Sequence, residues 1–257
     1  MTINPSSPTH AYLQIADILR RRIIDEGMPD GAPLPSVREL VAQFATAPGT
    51  VRQAFAQLTS EGLVVARQGS GAFVRKPRRL RRVGSTRHLR TKRTDPAALP
   101  LQAEAHSQGF QRSSDLIGVT RVAAPIVVAE RLQLPEGSTL IHRRYQLSLD
   151  GEIAQTASSY FPASLAEGTA LAEPAPPPGG THAYLADALG LTLEVATEEL
   201  TARMPTHPES VTLRLLPGTP VLELIRTIYT SDERPVEVTN FLFAGDRHVF
   251  VYTVPLD

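Results

Sequence analysis

The stretch PLPSVRELVAQFATAPGTVRQAFAQLTSEGLVVARQGSGAFVR, residues 33–75, decides the fold. Ser36 and Glu39 have the S-x-x-E spacing of a capping box, in which a hydroxyl and a carboxylate satisfy the free N–H groups of a helix start. Pro35 discourages helix upstream. Val37, Leu40, Val41 and Phe44 then share one face, so the spacing predicts a helix over 37–44. Ala45-Thr46-Ala47-Pro48-Gly49 interrupts it. Pro48 suits the first turn of a second helix, with Thr46 or Ala47 at its cap. Between about Pro48 and Glu61, Val51, Phe55 and Leu58 recur at i, i+4, i+7 with Ala54 beside them, leaving Thr50, Arg52, Gln53 and Gln57 outside. Gly62 ends that helix as a C-cap glycine. Leu63–Ala66 and Ala72–Val74 read as two short strands around the tip Arg67-Gln68-Gly69-Ser70-Gly71, whose glycines permit positive φ.

Two helices, a tight turn and a basic glycine-tipped hairpin in this order predict a winged helix-turn-helix, a fold that places one helix in a DNA major groove. Short polar groups and a guanidinium on the open face of the second helix (Thr50, Arg52, Gln53) suit base edges and phosphates, and the tip Gln68-Gly69-Ser70-Gly71 lets backbone come close to DNA. A helix pair alone occurs in many unrelated proteins, and a lone arginine is as often a solvated charge. The specificity lies in the fixed order of cap, Pro/Gly turn, T-V-R helix, E-G-L stop and basic wing. Upstream, residues 11–26 predict a helix with Leu13, Ala16, Leu19 and Ile23 on one face.

Charge is distributed to match. The 257 residues carry 26 Lys and Arg against 26 Asp and Glu. Residues 1–95 nonetheless hold 16 basic and seven acidic side chains, a net of +9, and residues 96–257 hold 10 and 19, a net of −9. A basic half joined to an acidic half suggests a polyanion-binding domain tied to a domain with another task. Residues 75–93 contain ten Lys or Arg and no acid, which reads as a solvated linker able to track phosphates. With no cysteine, disulfides, thiolate metal sites and cysteine catalysis are excluded. The start MTINPSSPTH lacks the basic and apolar segments of a secretory signal, and no apolar run reaches membrane-span length, so a cytoplasmic protein without membrane contact is expected.

Residues 96–114 read as a connecting arm. Beyond it the pattern turns β-rich: Arg121–Ala124, Leu140–Leu149, Ile153–Tyr160, Val195–Arg203, Val221–Tyr229 and Val236–Phe243 are strand-like, with Asp150-Gly151 and Asp232-Glu233 as hairpin turns. Ala163–Glu167 and Thr181–Leu189 read as short helices, and EPAPPPGG (173–180) as a loop. The fold class is therefore α+β, with an antiparallel sheet in the second domain.

Residues 9–75 resemble the amino-terminal domain of the GntR family of bacterial transcription regulators. The resemblance rests on Pro33-Leu34-Pro35-Ser36-Val37-Arg38-Glu39-Leu40, Thr50-Val51-Arg52-Gln53-Ala54, Glu61-Gly62-Leu63-Val64 and Arg67-Gln68-Gly69-Ser70-Gly71-Ala72-Phe73-Val74. It implies DNA contacts through the arginine of the P-S-x-R element, Arg38, through Thr50 and Arg52, and through the wing glycines Gly69 or Gly71; Ser36 is a further DNA-binding candidate. Many members carry Ser-Arg where this chain has Ala47-Pro48, so one arginine contact of the family is missing here. Residues 112–254 resemble the UTRA ligand-binding domain of the HutC branch, through pieces such as Leu134-Pro135-Glu136-Gly137, Ser159-Tyr160-Phe161-Pro162, Pro217-Gly218-Thr219-Pro220 and Arg234-Pro235-Val236-Glu237. That resemblance implies a chorismate lyase-like sheet that binds a small polar or anionic effector such as a sugar phosphate. It divides the chain into a DNA-binding domain (9–75), a basic linker and connecting arm (76–111), and an effector-binding and dimerisation domain (112–257).

A pocket for such a ligand needs guanidinium forks and hydroxyls from neighbouring strands. Arg143 and Arg144 point to opposite faces of one strand, so one of them can serve, and Arg144 is preferred. Ser159, Tyr160, Arg203 and Glu237 are the further candidates, with a structural Arg203–Glu237 ion pair as the alternative. Neither a catalytic nor a metal site is expected, and no cofactor: the seven histidines are scattered, and H-E-x-x-H, G-x-S-x-G, P-loop and G-x-G-x-x-G patterns are all missing. The expectation is a ligand-released repressor, acting as a homodimer on a palindromic operator. A constitutive repressor whose second domain only dimerises is the alternative, and a lyase-like enzyme the remote one, because fold resemblance does not carry activity.

Overall fold

The computed structural model describes residues 3–4, 6–67, 69–84 and 100–254. The chain divides into two compact units: residues 1–79 with 215–220, and residues 80–214 with 221–257. In the first unit α1 (Ala11–Ile24), α2 (Val37–Phe44) and α3 (Pro48–Ser60) precede a hairpin of β1 (Val64–Arg67) and β2 (Gly71–Val74). Their apolar faces make one core, with Ile15, Leu19 and Ile23 of α1, Leu40 and Phe44 of α2, Val51, Ala54 and Leu58 of α3, and Val64, Ala72 and Val74 of the hairpin buried together. The capping box forms in both directions: Ser36 Oγ accepts from the Glu39 N–H at 3.2 Å, and the Ser36 N–H donates to Glu39 Oε2 at 2.7 Å. Ala45 caps α2 in the left-handed region (φ +48°), and Pro48 sits in the first turn of α3 behind Ala47, whose side chain gives no capping bond.

The second unit is built on a six-stranded antiparallel sheet in the order β4-β5-β6-β9-β8-β7: β4 (Arg112–Ala123), β5 (Thr139–Leu149), β6 (Glu152–Pro162), β7 (Leu193–Arg203), β8 (Val221–Thr230) and β9 (Pro235–Ala244). Asp150 and Gly151 both take positive φ (+51° and +81°), the geometry of the two-residue hairpin turn expected between β5 and β6. One sheet face is covered by α5 (Ile126–Leu132), which packs Val128 and Leu132 with Leu140 and Val238. The other is covered by α6 (Ala163–Ala166), α7 (Thr181–Asp187) and the chain between them, which pack Ala166, Leu171 and Leu185 against Ile141 and Phe161. α8 (His207–Thr212) follows β7.

The region expected to be only linker and arm contributes real structure. Leu80–Val83 form β3, paired in parallel with β10 (His248–Val251), and Pro100–Ser107 form α4. The basic run hides β3 because its arginines alternate: Leu80 and Arg82 are buried, whereas Arg81 is exposed. The Arg82 guanidinium stacks 4.7 Å from the Phe243 ring centre and donates to Gln155 Oε1 at 2.6 Å, which makes burial of a charge tolerable. β4 is also far longer than the expected 121–124, since an edge strand half open to water carries polar residues on both faces. The linker residues 85–93 lie outside the described residues.

Candidate functional site

The DNA-reading surface expected from the sequence is assembled on α2, α3 and the hairpin. Burial of Val51, Ala54 and Leu58 fixes the rotation of α3 and turns Arg52 and Gln53 outward, with Thr50 half-buried at the margin. Arg38 on α2 and Arg52 on α3 are exposed, and neither makes a hydrogen bond or ion pair within the described residues. Guanidiniums left exposed and unpaired are ready donors for phosphate or base acceptors. Ser36 is exposed, and its oxygen is engaged in the cap. In the tip Gly69 (φ +75°) and Gly71 (φ +103°) take positive φ, and a Cβ on either would meet nothing within 4 Å, so backbone there is open to a partner. Ser70 is exposed with them; Gln68 lies outside the described residues. Arg67 lies flat against the hairpin, 4.7 Å from the Phe73 ring centre.

The same unit uses other charges structurally. Arg20 on α1 donates to both carboxylate oxygens of Glu61 at 2.6 and 2.8 Å, and pairs with Asp17. The Arg20 guanidinium holds the Glu61 carboxyl below its ordinary range. Gln57 Nε2 also donates to Glu61, at 2.9 Å, so this amide is drawn to the end of α3.

In the second unit a polar row crosses the sheet on the face beneath α6 and α7. Register places Arg143, Ser159, Thr239, Arg226 and Glu198 opposite one another in five successive strands. Directly opposed residues in an antiparallel sheet share a face, and Glu237, two residues from Thr239, joins them. Ser159 Oγ and Thr239 Oγ1 lie 2.7 Å apart, Thr239 Oγ1 donates to Glu237 Oε1 at 2.7 Å, and His182 of α7 meets Glu237 Oε2 at 3.0 Å. Burial pushes the Glu237 carboxyl up, but its bonds to His182 and Thr239 and the nearby Arg226 outweigh this and hold it below the usual carboxylate range. Arg226 donates through Nε and Nη2 to Glu198 Oε1 at 2.8 and 2.6 Å and stacks 4.9 Å from the Phe241 ring centre.

The preferred Arg144 is on the other face and exposed; Arg143 faces the covered row and is fully buried. Yet Arg143 is spent on the chain above it. Its Nη1 donates to the carbonyls of Leu171 and Glu173 at 2.7 and 2.9 Å, and Nη2 donates to Ala175 O at 2.6 Å and Tyr145 Oη at 2.9 Å. Ser159 and Glu237 thus fall together, whereas Tyr160 does not join them. It stacks on His142 on the opposite face, with ring centres 4.3 Å apart. Burial raises the Tyr160 hydroxyl pKa, and burial together with the Arg144 charge lowers that of His142. The Arg203–Glu237 pair does not form: Arg203 binds Glu209 at 2.7 Å and Glu223 at 3.0 Å, and the Arg203 bonds bring the Glu209 carboxyl down to about 2. Thr239, Arg226 and His182 were missed. The available signal was inward parity: Thr239 lies two residues from Glu237, and Arg226 is the one basic residue of a mostly apolar strand. Among the described residues no group of three or more His, Cys, Asp or Glu could hold a metal, and no helix is long and apolar enough to cross a membrane.

Comparison with known proteins agrees with both halves of this geometry. The family described as bacterial regulatory proteins, gntR family, matches residues 11–74, and the UTRA domain matches residues 107–249. An uncharacterised HTH-type transcriptional regulator of Streptomyces coelicolor is 33% identical over 253 residues, covering 96% of this chain and 93% of that protein. The HTH-type transcriptional repressor NagR of Bacillus subtilis is 28% identical, covering 98% of each. A crystal structure assigned to a GntR-family transcriptional regulator superposes with a TM-score of 0.68 at 28% identity, covering 97% of this chain and 99% of that one. The chain therefore belongs to the GntR family of bacterial DNA-binding transcription regulators, in the HutC branch, which joins the winged helix-turn-helix to a UTRA domain.

Proposed function

We infer that this regulator represses transcription as a homodimer on a two-fold-related operator and is released by a small polar effector held over the inward face of the six-stranded sheet. On this reading Arg38, Thr50, Arg52, Gln53 and the wing backbone at Gly69–Gly71 carry the DNA contacts, and Ser159, Thr239, Glu237 and His182 face the effector. The observation that carries it is the hydrogen-bonded Ser159–Thr239–Glu237–His182 chain, which sets hydroxyls and a carboxylate in fixed orientation on an otherwise apolar, covered face and ends at the half-buried His182, the kind of polar group that orients a ligand. The relative named a repressor supports the direction of control. An effector bound there lowers operator affinity only by binding the DNA-free state more tightly.

A second reading has an observation of its own. The charged members of the row are already satisfied internally: Arg226 by Glu198, Glu237 by His182, Arg143 by main-chain carbonyls. A self-sufficient row suits a constitutive repressor whose second unit only dimerises. A thermal-shift panel of sugar phosphates, amino sugars and amino-acid catabolites on the full chain separates the two. The effector reading expects one compound to raise the melting temperature in the wild type and not in Thr239→Val; a panel without any shift favours the constitutive repressor.

A further inference from the structure

We propose that Gln53 is the base-reading residue at the centre of α3, and that it selects adenine at one position of each operator half-site. The inference rests on the placement of α3 in the major groove made above. Gly49, Gln53 and Ala56 are spaced i, i+4, i+7, which puts them on one stripe of the helix, opposite the buried Val51, Ala54 and Leu58. Gln53 is exposed and makes no hydrogen bond with another described residue. Its neighbours on the stripe are a glycine and an alanine, and a Cβ added to Gly49 would meet nothing within 4 Å. The middle of the reading face is therefore bare except for one long amide, and the helix can lie deep in the groove around it.

Competing groups stand elsewhere. Gln57, the other amide on this side, is held by Glu61, which Arg20 holds in turn. Arg52 and Thr50 flank the stripe, one on each side, where sugar–phosphate contacts are made. Pro48 at the start of α3 offers no side-chain donor. A carboxamide fits adenine in two bonds: Nε2–H donates to N7, and Oε1 accepts from the N6 amino group. No other base presents that donor–acceptor pair in the major groove.

The test is selection of binding sites from a random duplex library by the full chain, repeated with Gln53→Ala, Gln53→Arg and Gln57→Ala. The wild type is expected to enrich a two-fold-related site with adenine at one symmetric position, preferred roughly 5- to 150-fold over the other bases. Gln53→Ala should erase the preference at that position and leave the others intact. Gln53→Arg should convert it to guanine, and Gln57→Ala should change nothing. Unchanged preference in both Gln53 variants, or equal weakening at every position, would overturn the proposal while leaving groove binding by α3 in place. A wild type that enriches no sequence would overturn both.

Discussion

Single side chains in this regulator divide sharply between free and committed charges. Arg52 is exposed and unpaired within the described residues, so Arg52→Ala should leave the melting temperature unchanged and, in fluorescence titration, weaken binding about equally on every duplex sequence while lowering the salt slope of affinity by about one. Arg143 is the opposite case. Removing it leaves the carbonyls of Leu171, Glu173 and Ala175 without their buried donor, so Arg143→Met should cost about 3 kcal/mol or more in chemical denaturation. The sequence offered Arg143 beside Arg144 as a ligand contact and preferred Arg144, which is the exposed one of the two. Strand parity says that Arg143 and Arg144 face opposite ways, but which face is covered depends on α6 and α7, far along the chain. Arg203 shows the same limit: its partners Glu209 and Glu223 are six and 20 residues away, and only the fold selects them over Glu237.

Among the elements, those with local signals were legible. α2 begins at its capping box and α3 at its proline, because both signals act within one turn. Ser36→Ala should therefore cost about 1 kcal/mol of stability, and Ala45→Gly should gain up to about 1 kcal/mol by relieving a left-handed alanine, both read by thermal melting. The hairpin of β5 and β6 was equally plain from Asp150-Gly151. β3 and β10 were not: each is four residues long, and they pair across more than 160 positions of chain, so neither shows a pattern of its own. In β3 the arginine run masked the period-2 alternation that buries Leu80 and Arg82.

At the scale of the whole molecule, charge separates the two halves. The net of +9 in residues 1–95 makes DNA affinity fall steeply with salt, as counterions compete for the phosphates. Acid acts on both units, since Glu61 in the first is also held below its ordinary range. His142 has a pKa below the ordinary 6.5 in the folded chain, so below that pH the unfolded chain takes up a proton that the fold resists, and stability declines. Glu209 works in a lower window: its contribution is complete above its ordinary 4.5 and disappears as pH falls toward about 2. Denaturation across this range should show the decline in two stages, the upper one absent in His142→Gln.

The coupling of the DNA reader to a ligand site is tested most directly by operator affinity, measured by fluorescence anisotropy with and without each compound that raises the melting temperature. One such compound should weaken binding roughly 5- to 150-fold in the wild type, and Glu237→Gln should bind operator normally while losing that response. Operator affinity unmoved by every stabilising compound would contradict effector control and leave a constitutive repressor.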